Sequence, residues 1–220
     1  MTATKSSLAR AYVGTSGWSY PSWRPGFYPA EVKPPEFLRH YSERLPSVEL
    51  NTTGYRIPAE EQFRRWAEQV APGFRFAVKF NSFRLGGAGT FEERVLLLGD
   101  RLGPIRVLVG SPRDEGLLTL TLGSFDPGLK IAFDFRHASW EGLEVDLPSN
   151  AVRVNELESS ASFRYLRLRE PPYDEQALTE WAGRIRPLLA DGNEVYCYFK
   201  HEDEPEAPRY AERLLELLAD

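Results

Sequence analysis

The chain has one cysteine and three histidines among its 220 residues. Cys197 therefore cannot form a disulfide within the chain, and its place in the apolar run EVYCYF favours a buried free thiol. The spacings CxxC and HxxEH, which gather ligands for a metal, do not occur. A metal assembled from separate strands, as in a metal-dependent hydrolase or isomerase, stays open as an alternative. No cofactor is identified by the sequence.

Long apolar segments and an excess of basic residues are also missing. No apolar run approaches 18 residues, and residues 1–10 lack the hydrophobic stretch of a signal peptide, so we expect a flexible N-terminus and no membrane partner. The simplest expectation is a soluble protein of the reducing cytoplasm. A net charge of −5 disfavours a general nucleic-acid binder, which usually carries a basic field.

Phosphate-binding glycine motifs are missing as well. The segment VGTSGWSY follows the first predicted strand without the GxGxxG spacing of a dinucleotide fold, and no P-loop or Ser-His-Asp arrangement is visible. An open, doubly wound sheet is therefore the second choice of fold.

Eight short segments rich in Val, Ile, Phe and Tyr predict strands. They are residues 11–15, 47–51, 75–80, 105–110, 130–135, 151–155, 163–169 and 194–200. Helical periodicity follows at 35–45, 59–70, 174–185, with Asp174 as the N-cap, and 207–219, and less clearly at 91–102 and 115–123. The alternation predicts an α/β protein: a single-domain TIM-like (β/α) barrel over residues 11–220, with shortened or missing helices after strands 5 and 6.

Alternation along each strand separates two sets of side chains. The apolar set must face the helices, so the other set lines the barrel interior. The predicted inward residues are Glu49, Asn51, Lys79, Asp134, Arg136, Arg153, Asn155, Arg167, Arg169 and Lys200. Most lie near the carboxyl ends of strands, where barrel active sites are found.

This inward set contains six cations and two anions, an imbalance that is costly to bury without a counter-ion. It predicts an anionic small-molecule ligand that carries a phosphate or a carboxylate, both of which arginine binds through two hydrogen bonds. A structural ion network is the alternative.

Candidate roles follow from residue chemistry. Asp134 and His137 are candidates for an acid/base pair, and Lys79 for a base or a Schiff-base nucleophile. The candidate ligand-binding residues are Arg136, Arg167, Asn51, Tyr55, Asn155 and Lys200. Trp18 and Tyr20 either stack on a ligand or plug one end of the barrel. A less favoured alternative is a nucleic-acid phosphate binder that uses the same cations, with Trp18, Trp23 and Tyr55 as stacking platforms.

Several blocks resemble the DUF72, or YecE-like, family. They include YVGTSGWSYPSWRPGFYP, VELNTTGYRIP, FDFRHASW and VYCYFKHEDEPEAPRYAERLLELL, and with GFRFAVKF and RYLRLR they extend from Tyr12 to Leu218. The resemblance implies a TIM-like barrel of unestablished function. The chain departs from the family pattern at Asp134, where Glu is usual, at Gly54, where an aromatic is usual, and at LREPP, where Leu-His-Gly is frequent.

Overall fold

We describe the protein from a computed structural model, over residues 10–142, 144–200 and 204–220. The strands are β1 (Ala11–Ser16), β2 (Ser47–Leu50), β3 (Arg75–Asn81), β4 (Leu102–Val109), β5 (Ile131–Phe135), β6 (Ala151–Arg153), β7 (Phe163–Leu168) and β8 (Glu194–Phe199). The α-helices are α1 (Phe37–Arg44), α2 (Glu60–Gln69), α3 (Ala88–Val95), α4 (Glu115–Gly123), α5 (Glu175–Ala190) and α6 (Glu206–Ala219).

The strands form one sheet in the order β6-β5-β4-β3-β2-β1-β8-β7, and every neighbouring pair is parallel. The two edge strands, β6 and β7, are joined by Asn155 instead of a regular ladder. Its main-chain N–H donates to Tyr165 O at 2.9 Å, and its side chain accepts from Arg167 N at 2.6 Å. The sheet is therefore a nearly closed barrel.

The predicted α/β barrel is confirmed, and so is its reduced helical layer. A short 3-10 turn, Ala138–Trp140, follows β5, and the described residues 154–162 after β6 contain no helix. Asp174 caps α5 as predicted, since its Oδ1 accepts from Ala177 N at 2.8 Å. Helix α5 continues beyond its predicted end at residue 185, through Pro187, and buries Leu189 in its last turn.

Two apolar layers pack against the sheet, one on its outer face and one inside the barrel. The larger one, between strands and helices, includes Val48, Val78, Phe133 and the buried Cys197, whose thiol pKa is raised by burial. The smaller one fills the barrel interior and is rich in tyrosine: Tyr12, Tyr165, Tyr196 and Tyr198, with Phe163 and Ala132. The barrel is thus packed below its carboxyl end.

No helix within the described ranges is both long enough and apolar enough to span a bilayer.

Candidate functional site

A cavity of about 430 Å³ opens at the carboxyl ends of the strands. We call it the cationic cavity because six positively charged side chains line it: Lys79, Arg106, Arg136, Arg167, Arg169 and Lys200. Ser16, Asn51, Tyr55 and Leu108 complete the lining. Strand alternation explains the arrangement, since the neighbours of these residues along β3, β4 and β7 are apolar and pack outward.

Glu49 lies at the inner end of the cationic cavity and is fully buried. Its carboxylate lies 2.8 Å from Arg106 Nε and 2.8 Å from Arg167 Nη2. It also accepts a hydrogen bond from Tyr165 Oη at 2.6 Å. This bond connects the charged layer, which consists of Glu49, Asp134 and the arginines that contact them, to the tyrosines beneath it. Burial raises the pKa of Glu49, but the charges of the two arginines outweigh burial and hold that pKa at about 2.

Asp134 is the second buried carboxylate, and arginines surround it. It accepts from Arg106 Nη1 at 2.6 Å and from Arg169 Nη2 at 2.9 Å, and its other oxygen lies 2.9 Å from Arg136 Nε. Arg167 Nη1 lies farther away, at 3.9 Å. Asp134 therefore positions the guanidinium groups around the cavity instead of presenting a free carboxylate to it.

Arg106 joins the two carboxylates. It is 2% exposed, and a third contact, from Nη2 to Asn51 Oδ1 at 3.0 Å, extends the network to the loop after β2. Burial lowers the pKa of Arg106, but Glu49 and Asp134 outweigh it, so the net pKa shift is upward.

Two lining arginines keep unused donors. The buried Nε atoms of Arg167 and Arg169 meet no hydrogen-bond acceptor among the described residues. Burial, with the nearby charges of Arg167 and Arg136, lowers the pKa of Arg169 in spite of Asp134. Unpaired N–H groups in a cationic setting favour an additional acceptor.

A lysine and a tyrosine meet at the cavity edge. Lys79 Nζ donates to Tyr55 Oη at 3.2 Å, and Nζ lies 4.2 Å from the centroid of that ring. The hydrogen bond and the charge of Lys79 lower the pKa of the Tyr55 phenol.

A family model described as "Protein of unknown function DUF72" matches residues 12–220, nearly the whole chain. The chain belongs to the DUF72 family.

Relatives and solved structures agree with this assignment. The UPF0759 protein YecE of Escherichia coli K12 and that of Escherichia coli O157:H7 are each 41% identical over 70 residues, 31% of this chain and 23% of the relative. The match thus spans less than a quarter of the length of YecE. Two crystal structures of a DUF72 family protein from Enterococcus faecalis V583 align with TM-scores of 0.76 and 0.75 at 16% and 17% identity. They cover 94% of this chain, and 95% and 97% of their own chains, and at this identity they establish the fold.

Six predicted site residues line the cavity of this DUF72 protein: Asn51, Tyr55, Lys79, Arg136, Arg167 and Lys200. His137 is not one of the lining residues. Its Nδ1 accepts from Ser139 N at 3.1 Å and caps the 3-10 turn after β5. The structure therefore does not pair His137 with Asp134, whose oxygens meet arginines.

Trp18 and Tyr20 lie in the loop after β1, where Trp18 packs against helix α2 and Tyr20 packs against the loop itself. The Trp18 ring lies edge-on to Trp66 at 5.7 Å, and the Tyr20 ring lies 4.7 Å from Trp23. Tyr20 Oη donates to Ser16 O, and burial, with the charge of Glu49, raises its pKa to about 12. Of the two predicted roles, these contacts favour packing over stacking on a ligand.

Strand β6 has the opposite alternation from the one predicted. Val152 belongs to the interior apolar cluster, whereas the Arg153 guanidinium lies 5.6 Å from the Phe135 ring and donates to Trp140 O at 2.7 Å. The prediction that Arg153 faces inward is therefore wrong, because Val152 occupies the interior face of β6 and its neighbour Arg153 must point to the opposite face. Asn155 is exposed and joins β7, outside the cavity lining.

Arg106 is the residue that the predicted inward set omits. The signal was present in IRVLVG, where Ile105 and Val107 are apolar and fully buried on the outer face. The same alternation rule that predicts Lys79 places Arg106 inward.

No three His, Cys, Asp or Glu side chains lie close enough together to hold a metal ion within the described part of the chain.

Proposed function

We propose that this DUF72 protein binds an anionic small molecule, phosphorylated or carboxylated, in the cationic cavity, as an enzyme or as a binding protein. One observation carries the proposal: six cationic side chains line the cavity, and the two carboxylates beneath them are both engaged by arginines. Because buried positive charge is costly, an anion at this position stabilises the site.

The donors also fit an oxyanion chemically. Arg167 and Arg169 have buried Nε donors without an acceptor, and Arg136 reaches the cavity with 40% of its side chain exposed. Guanidinium groups bind phosphate and carboxylate oxygens in pairs, and the side-chain amide of Asn51 in the same lining can supplement them.

The volume supports a small ligand. A cavity of about 430 Å³ lies at the lower end of the range of roughly 300–1,000 Å³ for small-molecule sites. The exposed phenol of Tyr55 borders the opening, where it can contact the part of the ligand that lies outside the anionic group.

Calorimetric titration with inorganic phosphate, sulfate and a tricarboxylate tests the proposal. We expect heat and a raised unfolding temperature with at least one of these anions, because a ligand of the folded state stabilises it. Arg136→Gln should weaken binding about tenfold, since a charged hydrogen bond contributes about 1.5–3 kcal/mol.

The matched control is Arg39→Gln, an arginine that is 76% exposed on α1 and paired with Glu43. It removes the same net charge and should leave anion binding unchanged. Absence of binding by all the anions, or equal weakening by the two variants, would contradict the proposal.

A further inference from the structure

The contact between Lys79 and Tyr55 combines a buried cation with an accessible phenol. Lys79 is 6% exposed, whereas Tyr55 is 73% exposed at the edge of the cationic cavity. Because the phenol faces both solvent and the cavity, it can receive protons from one and pass them to the other.

The local backbone fixes this pair. Thr53 Oγ1 donates to Lys79 O at 2.8 Å and accepts from Lys79 N at 3.1 Å, and Asn81 Nδ2 donates to Gly54 O. A Cβ on Gly54 would lie 2.7 Å from Lys79 Cδ and 2.8 Å from Lys79 Cγ. The missing side chain at position 54 therefore provides the space through which Lys79 reaches Tyr55.

The charges that lower the pKa of the Tyr55 phenol come from three cationic side chains. Lys79 from β3 is the nearest, and Arg106 from β4 and Arg167 from β7 add to it; together they lower the Tyr55 pKa although slight burial raises it. Arg84 donates to Tyr55 O at 2.7 Å. These cations stabilise the phenolate relative to the phenol.

Eight other tyrosines have pKa values shifted in the opposite direction. Burial raises the pKa of each of them: Tyr12, Tyr20, Tyr28, Tyr41, Tyr165, Tyr173, Tyr196 and Tyr198. Tyr55 should consequently ionise before these eight tyrosines.

We propose that Tyr55 exchanges a proton with the anion bound in the cationic cavity, and that Lys79 is the positioning residue that stabilises its phenolate. The inference rests on the proposed function. In the forward direction the Oη–H bond of Tyr55 breaks, its electron pair stays on Oη, and the proton passes to a ligand oxygen. Solvent then returns a proton to Tyr55 Oη.

Alkaline titration of the full chain, followed by phenolate absorbance, tests the first half of this proposal. The chain has ten tyrosines, so Tyr55 should give an early step of one tenth of the total amplitude. Tyr55→Phe should lose that step. Lys79→Met should shift it to higher pH, and Gly54→Ala should do the same by displacing Lys79 without removing a charge. Lys33→Met, an exposed lysine outside the cavity lining, is the control and should change nothing.

Proton uptake on binding tests the second half. Calorimetry with inorganic phosphate, in buffers of different protonation enthalpy, measures the protons exchanged per anion bound. Near the Tyr55 transition the wild-type protein should take up protons, because a bound anion disfavours the phenolate. Tyr55→Phe, titrated with phosphate until binding is saturated, should lose this uptake.

The outcomes separate the two proposals. If phosphate binds but Tyr55 ionises together with the other tyrosines, or if proton uptake persists in Tyr55→Phe, proton exchange by Tyr55 is overturned and anion binding stands. If Tyr55 ionises early but no anion binds, the proposed function is overturned, and with it the exchange with a bound anion.

Discussion

At the scale of single residues, Arg106 joins the two buried carboxylates, Glu49 and Asp134, at distances of 2.8 and 2.6 Å. It also contacts Asn51 and is almost fully buried. Buried ion pairs are costly to form and costlier to break, because removal of one partner leaves the other charge uncompensated. The inner pairs of this network are therefore structural, and the outer cations are those that the proposed anion would contact.

Replacement of Arg106 should reveal that cost. We expect Arg106→Met to lower the free energy of unfolding by about 3–5 kcal/mol, because Glu49 and Asp134 lose their shared partner. Urea unfolding measures the difference.

The control is Arg65→Gln, which breaks an exposed pair with Glu61 on α2 and should cost less than about 1 kcal/mol. Similar losses for both variants would show that Arg106 is not the structural centre of the layer.

At the scale of elements, the barrel depends on how β6 and β7 meet. Asn155 has a positive φ of 68°, and its side chain bonds both polar atoms of the Arg167 backbone. Asparagine suits this position because it tolerates left-handed backbone better than most residues and its amide mimics a peptide group. A single residue thus replaces a strand ladder at the edge of the sheet.

Two substitutions separate the stability that comes from the backbone conformation of Asn155 from the stability that comes from its side-chain hydrogen bonds. Asn155→Gly keeps the backbone conformation and should cost about 1–3 kcal/mol for the lost hydrogen bonds. Asn155→Ala should cost about 1–2 kcal/mol more, because alanine disfavours a positive φ.

Urea unfolding of both variants measures these costs. Equal stability of Asn155→Ala and the wild-type protein would contradict the role of Asn155 in closing the barrel.

For the whole molecule, the buried carboxylate of Glu49 makes stability depend on pH. Glu49 has a folded pKa of about 2 against an ordinary value of 4.5, so its contribution is complete above about pH 4.5 and is lost as pH falls towards 2. Since the shift is large and the group is buried, that contribution is roughly 3 kcal/mol.

Glu49→Gln should therefore lose less stability on acidification than the wild-type protein does. Urea unfolding between about pH 7 and about pH 3 gives the comparison. Glu43→Gln, an exposed carboxylate on α1, should follow the wild-type curve. A Glu49→Gln curve parallel to that of the wild-type protein would contradict the assignment.

Local sequence patterns were sufficient to predict most of the secondary structure of this protein. Short segments rich in Val, Ile, Phe and Tyr predicted the eight strands, helical periodicity predicted the main helices, and the DUF72 blocks agreed with both. The inward direction of Lys79, Arg136 and Arg167 also followed, because apolar neighbours on a barrel strand must face the helices.

The tertiary structure decided which of those side chains contact one another. Only the closed sheet brings Arg106 between Glu49 and Asp134, which lie 85 residues apart along the sequence. It also turns Arg153 outward and seats Lys79 beside Tyr55 through the space at Gly54. Alternation gives each strand two faces, but distances between strands set which charges meet. The sequence thus determined the barrel and most of its inward cations, and packing determined which of these charges pair with one another.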